Sequence, residues 1–196
     1  MATNIHPETR RFIQRFHKER LLRQRGMAVW LCGLSGSGKS TIAAALERVL
    51  HDQGHFSIVL DGDIMRSGLN ADLGFSDVDR LENIRRTSEV AKLLANQGVI
   101  VIVSLITPRG ELRDLARGTL GEDYFEVYVK ANYETCRKRD PKGLYAKAEA
   151  GEIPSFTGLD SVFDPPNAPN LVLDTEHNSV EDCTFELLEA IRPRLS

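Results

Sequence analysis

At 196 residues, with 41% hydrophobic and 27% charged side chains, the chain has the composition of one ordinary globular domain and is neither a disordered nor a fibrous sequence. A formal charge of -3 gives no global attraction for nucleic acid or an acidic membrane, so any anion site must be built locally. The three cysteines, at 32, 136 and 183, are odd in number and lack C-x-x-C spacing, which argues against a disulfide framework or a zinc site and points to a reducing cytoplasm.

The N-terminal stretch lacks the apolar centre of a secretory signal, and no run approaches the roughly 18 apolar residues of a membrane span. Residues 8 to 25 are arginine-rich, with Phe12, Ile13, Phe16, Leu21 and Leu22 spaced as one apolar stripe, so a lead-in helix is expected in an N-terminal extension covering residues 1–25. From residue 26 to 196 the pattern is that of a single α/β domain. The apolar runs "MAVWLC", "FSIVL", "VIVIVS", "YFEVYV" and "NLVLD" alternate with amphipathic segments, which predicts a five-stranded parallel sheet covered on both faces in a three-layer sandwich. The rhythm breaks between Arg139 and Pro169, and a loop-rich segment of this length predicts a lid over about residues 140–168. "VEDCTFELLEAIRPRL" reads as a closing helix.

Between the first strand and the next helix, Gly33 to Ser40 reads G-L-S-G-S-G-K-S and satisfies G-x-x-x-x-G-K-[ST]. Gly33, Gly36 and Gly38 let the loop wrap so that backbone N–H groups, including those of Ser35 and Ser37, point inward beneath a helix N-terminus. Lys39 is then placed to reach the β and γ phosphates of a nucleoside triphosphate, the Ser40 hydroxyl to hold Mg²⁺, and Thr41 to meet a phosphate nearer the nucleoside.

Asp61 and Asp63 follow the strand "FSIVL", at the strand end where α/β sheets bind ligands. Two carboxylates there suit a metal contact and an acceptor-hydroxyl contact, while a polar turn with one aspartate capping the next helix is equally compatible. Arg66, Arg80 and Asn83 come next; the last two share a helix face and suit an anionic substrate, whereas Arg85 and Arg86 read as surface ion-pair partners of acidic neighbours. Phe75, in a polar loop, is either a core plug or a stacking platform for a base.

With "ERLLRQRG", "GLSGSGKST", "DGD", "R-x-GLN-x-DLGFS", "DR-x-ENIRR-x-x-EVAKL", "RDPKGLY-x-KA", "AGEI" and "FTGLDS" in order between Lys18 and Thr175, the sequence resembles the adenylyl-sulfate kinase family. The resemblance implies a P-loop kinase-like fold and transfer of the ATP γ-phosphate to the ribose 3'-hydroxyl of adenylyl sulfate, with Mg²⁺, in sulfate assimilation. It implies that Asp63, Arg66, Phe75, Arg80 and Asn83 line the acceptor site, that Ile106 and Thr107 add backbone contacts, that Lys142 and Phe156 close over the same ligand, and that Arg139 lies beside the ATP adenine. Asp63 is then the residue expected to orient or deprotonate the 3'-hydroxyl, Asp61 the one nearer the metal, and Phe75 and Phe156 the rings enclosing the acceptor adenine. Thr107 stands where some members have a serine that becomes phosphorylated, and the resemblance makes it a candidate catalytic residue. A homodimer and functional coupling to an ATP sulfurylase are also implied, with neither nucleic acid nor membrane as a partner.

Three positions depart from the family pattern: Ile64 follows "DGD", Thr107 replaces serine in "SLITP", and Arg109-Gly110 follows the proline. They leave two alternatives to the implied reaction, a P-loop kinase for another small hydroxylated acceptor and a regulatory nucleotide-binding module without turnover.

Overall fold

The structure is a computed structural model and describes residues 11–153, 156–159 and 161–196. Residues 1–10 of the expected extension, and residues 154, 155 and 160 of the expected lid, lie outside the described residues.

Five strands, β1 (Met27–Cys32), β2 (Ser57–Asp61), β3 (Ile100–Ser104), β4 (Tyr124–Lys130) and β5 (Leu171–Asp174), form one sheet in the order β2-β3-β1-β4-β5. All four pairings are parallel. Every residue of β1 and β3 is buried, whereas the edge strands β2 and β5 are mostly half-buried, which is why the central strands read as unbroken apolar runs.

Alternate residues of β1 feed two cores. Val29 and Leu31 pack with Ile42 and Leu46 of α2 (Lys39–Asp52) and Leu187 of the closing helix, while Ala28 and Trp30 pack with Ile84, Leu112 and Ala116 on the other face. Those last three belong to a long helix (Asp77–Ala95) and to a second one at Gly110–Leu120, and the closing helix spans Val180–Ile191. The result is the expected three-layer sandwich. Taken in chain order with α1 (Arg15–Leu22) and α3 (Gly62–Ser67), the long helix is α4 and its neighbour α5; α6 (Tyr133–Arg139) and α7 (Leu144–Glu149) precede the closing α8.

Caps mark the boundaries. Ser76 accepts from Asp79 N at the start of α4, Asn132 from Thr135 N at α6, and Ser179 with Asp182 makes a reciprocal capping box at α8.

α1 is shorter than the stretch of residues 8–25 and docks by its polar side. Arg15 reaches both carboxylate oxygens of Asp123 at 2.5 and 2.8 Å and donates to the Gly26 carbonyl, while Glu19 accepts from Gly26 N. Phe12, Ile13, Phe16 and Leu21 stay exposed while Leu22 is half-buried beside Gly98, so most of the apolar stripe faces away from the body.

The expected lid contains α7 and a short bridge between Thr157 and Ser161. It has a small core of its own, in which Tyr145, Ala148 and Phe156 pack on Leu34, Ala131 and Cys136.

Candidate active site

The sheet order reverses around β1, so the crevice beyond the C-terminal ends of β1, β2 and β3 is where an α/β sheet takes a ligand. Register places Ser104 of β3 beside Leu31 of β1 and Asp61 of β2. The loop leaving β1 and the carboxylate ending β2 therefore converge.

That loop is the glycine-rich segment, with Gly33, Gly36 and Gly38 at φ 150°, 74° and 103°. A Cβ at Gly33 would sit 2.4 Å from the Val129 carbonyl oxygen and one at Gly36 would sit 3.0 Å from that of Cys136, so side chains are excluded by both conformation and space. Gly38 then opens α2, whose N-terminal N–H groups face the loop. Lys39 is buried, and its Nζ donates to the carbonyls of Gly33 and Leu34 at 2.9 and 2.7 Å. Burial pushes its pKa down to about 8. Ser37 Oγ is buried without a hydrogen-bond partner. A backbone cradle closed to side chains, an unsatisfied hydroxyl and an ammonium held only by neutral carbonyls together suit a polyphosphate.

At the cradle's edge, Ser40 Oγ donates to Asp61 Oδ2 at 2.6 Å and lies 3.2 Å from Ser104 Oγ. Burial would raise the Asp61 carboxyl, but the hydrogen bonds from Ser40 and from Asp63 N outweigh it and hold the pKa below the usual carboxylate range. A hydroxyl and an ionised carboxylate on one spot are hard oxygen donors of the kind that would hold a P-loop Mg²⁺. Thr41 is exposed in the first turn of α2.

Asp61 also caps α3, its Oδ1 accepting from Asp63 N at 3.0 Å, so the capping role and the place beside Ser40 belong to one residue. The Asp63 carboxylate projects outward and pairs with Lys142 of the lid. Arg66 donates to the carbonyls of Leu73 and Gly74, and its guanidinium lies 4.3 Å from the centroid of the Phe75 ring, which is 58% exposed. Arg80 donates to the Phe75 carbonyl at 2.9 Å and to Thr157 Oγ1 of the lid at 2.7 Å. Burial lowers the pKa of both arginines, yet from a value that leaves them charged. Asn83 is buried and accepts from Asn70 Nδ2 at 2.8 Å.

The Ile106 carbonyl accepts from Gly33 N at 3.1 Å and the Thr107 carbonyl from Arg113 at 3.0 Å, so the donor loop and the loop after β3 are stitched together. The Thr107 hydroxyl accepts from Trp30 Nε1. Phe156 is buried edge-on against Tyr145, at 4.8 Å between centroids, rather than against Phe75. Arg139 bonds both oxygens of Thr175 and lies 3.4 Å from the Gly36 carbonyl, on the far side of the cradle from Asp63. Of the three departures, Ile64 is exposed, Thr107 is buried, and Arg109 pairs with Asp77 at 2.9 Å. Arg85 and Arg86 make surface ion pairs with Glu82, and Arg86 a further one with Asp72.

Four participants were not singled out from sequence. Ser104 is legible only as the polar residue ending an apolar run. Tyr145 donates to the Ser35 carbonyl at 2.8 Å and Thr175 to that of Ser37 at 2.8 Å, contacts between segments far apart in the chain, and Asn70 orients Asn83, thirteen residues on; the sequence does not show these partners.

The fold and the glycine-rich loop define a P-loop kinase, with Arg66, Phe75 and Arg80 gathered beside Thr157 of the lid. The family profile described as adenylylsulphate kinase matches residues 25–174. The adenylyl-sulfate kinase of Bacteroides fragilis is 50% identical over 194 residues, covering 98% of this chain and 96% of that protein, and that of Bacillus licheniformis is 57% identical over 165 residues, covering 84% of each. The solved APS kinase CysC of Mycobacterium tuberculosis, in complex with AMPPNP and APS, superposes with a TM-score of 0.83 at 50% identity, covering 86% of this chain and 98% of that one. This chain belongs to the adenylylsulphate kinase family.

Proposed function

We propose that the protein transfers the γ-phosphoryl group of ATP to the ribose 3'-hydroxyl of adenylyl sulfate, giving 3'-phosphoadenylyl sulfate and ADP. The observation that carries the reading is the continuous path from Lys39 and Ser40 through Asp61 to Asp63, which sets a phosphate cradle beside an outward-facing carboxylate. Similarity to kinases that act on adenylyl sulfate supplies the acceptor.

Phosphoryl transfer asks a protein mainly for in-line positioning and for charge complementary to the equatorial oxygens. Backbone N–H groups of Gly36 to Ser40 bind the triphosphate, and Lys39 turns from the Gly33 and Leu34 carbonyls to the β and γ oxygens. Ser40 and Asp61 are the residues that would hold Mg²⁺, which when bound neutralises charge on the same phosphates. Arg139 and Thr175 flank the ATP adenine. On the acceptor side Arg66 and Arg80 neutralise the phosphosulfate, Phe75 stacks on the adenine, and Phe156 leaves its place against Tyr145 to cover the other face. Asn83 and the N–H groups of Ile106 and Thr107 orient the nucleotide, and Asp63 accepts a hydrogen bond from the 3'-hydroxyl once the acceptor displaces Lys142. Thr107 acts through its backbone. Lid closure excludes water and so suppresses hydrolysis of ATP.

The product serves sulfate assimilation in the cytoplasm, where three unpaired cysteines are stable. The exposed stripe of Phe12, Ile13, Phe16 and Leu21 suits a homodimer contact, and an ATP sulfurylase is the class of enzyme that supplies the acceptor. The test is ADP release from MgATP across an acceptor panel. Adenylyl sulfate should give the highest kcat/KM, and a larger value for a sugar or another nucleoside would reassign the acceptor.

A further inference from the structure

The loop between β3 and α5 carries Thr107 at φ 44°, one of two non-glycine residues with positive φ among the described residues. A β-branched residue holds that conformation only where its surroundings over-determine it. Here they do. The Thr107 hydroxyl accepts from Trp30 Nε1 at 2.9 Å and its carbonyl from Arg113 Nη1 at 3.0 Å. The flanking carbonyls are also engaged, Ile106 by Gly33 N at 3.1 Å and Pro108 by Asp164 N at 2.8 Å.

Arg113 is the anchor that needs support of its own. Only 5% exposed on α5, its guanidinium has a counter-charge in Glu126 of β4, which is 1% exposed. Glu126 Oε1 lies 3.2 Å from Arg113 Nε without hydrogen-bond geometry, and Oε2 accepts from Arg117 Nη2 at 2.5 Å. The Glu126 backbone N–H donates to Asn170 Oδ1, and register sets Glu126 beside Trp30, the residue that holds the Thr107 hydroxyl. The chain of contacts therefore closes on itself: Trp30, Thr107, Arg113, Glu126 and back to Trp30 across the β1–β4 ladder.

We propose that Glu126 is a positioning residue for the acceptor: by holding Arg113 against the Thr107 carbonyl, it fixes the strained loop whose Ile106 and Thr107 N–H groups face adenylyl sulfate. The inference rests on the acceptor site assigned above. Burying a charge without its partner is unfavourable, so a neutral residue at 126 draws the Arg113 guanidinium toward solvent and releases the Thr107 carbonyl. The loop then relaxes from positive φ, and its two N–H groups turn away from the acceptor while the phosphate cradle is unchanged.

Trp30 is the sole tryptophan of the chain, so its indole N–H gives one resonance in ¹⁵N-labelled protein and reports the Thr107 contact directly. Glu126→Gln is expected to shift that resonance, speed its hydrogen exchange and raise the KM for adenylyl sulfate about ten- to a hundredfold, with the KM for ATP held within about twofold. The double variant Glu126→Gln, Arg113→Met removes both charges. It should regain the thermal stability lost in the single variant while keeping the displaced resonance and the high acceptor KM, and it carries the test if the single variant does not fold. Recovery of the acceptor KM together with stability would make Glu126 a structural residue only and overturn the proposal, as would an unmoved resonance with an unchanged KM in Glu126→Gln. Failure of the unsubstituted protein to phosphorylate adenylyl sulfate at all would instead overturn the functional reading, and the resonance would still decide whether Glu126 holds the loop.

Discussion

The donor cradle and the acceptor slot share the C-terminal edge of one sheet but are built by opposite means. The cradle is a contiguous loop in which main-chain conformation does the recognition: three glycines at positive φ exclude side chains, and one lysine supplies the charge. The slot draws single side chains from α3, the loop before α4, α4 itself and the lid, with main-chain groups from the loop after β3, and several of the side chains are tied across to the lid, Asp63 to Lys142 and Arg80 to Thr157. A backbone site recognises what all nucleoside triphosphates share. A site of separate side chains can be shaped to one acceptor.

The comparison predicts separable defects. The largest belongs to the cradle: Lys39→Ala should lower kcat by about a thousandfold, because charge aimed at the transferring phosphoryl group is lost in a water-poor site. Thermal unfolding should show an intact fold, since this buried ammonium bonds neutral carbonyls and makes no ion pair among the described residues. Unchanged turnover would show that the lysine does not face the phosphates. Next comes the slot, where Arg80→Ala removes the tie to Thr157 together with the proposed contact to the phosphosulfate. Initial rates should show kcat/KM for adenylyl sulfate down about a hundredfold with the KM for ATP nearly constant. Equal damage to both substrates would mean that the two regions are not separable.

The smallest effect is in pH. Burial holds Lys39 at about 8 in the free protein, and a bound polyphosphate raises it, so nucleotide binding takes up a proton at pH above 8. ATP affinity measured calorimetrically should be level below pH 8 and then fall by up to about tenfold per pH unit, with proton uptake visible in buffers of different ionisation enthalpy. An affinity that rises with pH in this window would contradict the burial argument.

Legibility in the sequence follows the same division. The cradle could be read because its eight residues are contiguous and their chemistry is conformational. The sheet could be read because buried parallel strands appear as apolar runs, and the edge strands β2 and β5 still show enough of that character. What escaped were contacts between distant segments, such as Thr175 with Ser37, 138 residues apart, and Tyr145 with Ser35, 110 apart. The stripe of α1 was visible, but its direction was not, because Arg15 and its contact with Asp123 decide which side docks. Glu126 looked like any polar residue in a strand; its meaning comes from Arg113, and that pair meets only when α5 packs across β4.

The claim under all of this is that the two regions address one phosphorus atom. Phosphorus NMR of a mixture of the protein, MgATP and adenylyl sulfate tests it directly. The account predicts a new 3'-phosphomonoester appearing in step with ADP, and no transfer to the 3'-deoxy analogue. ADP accumulating without that monoester, or phosphate arriving at another position, would contradict it.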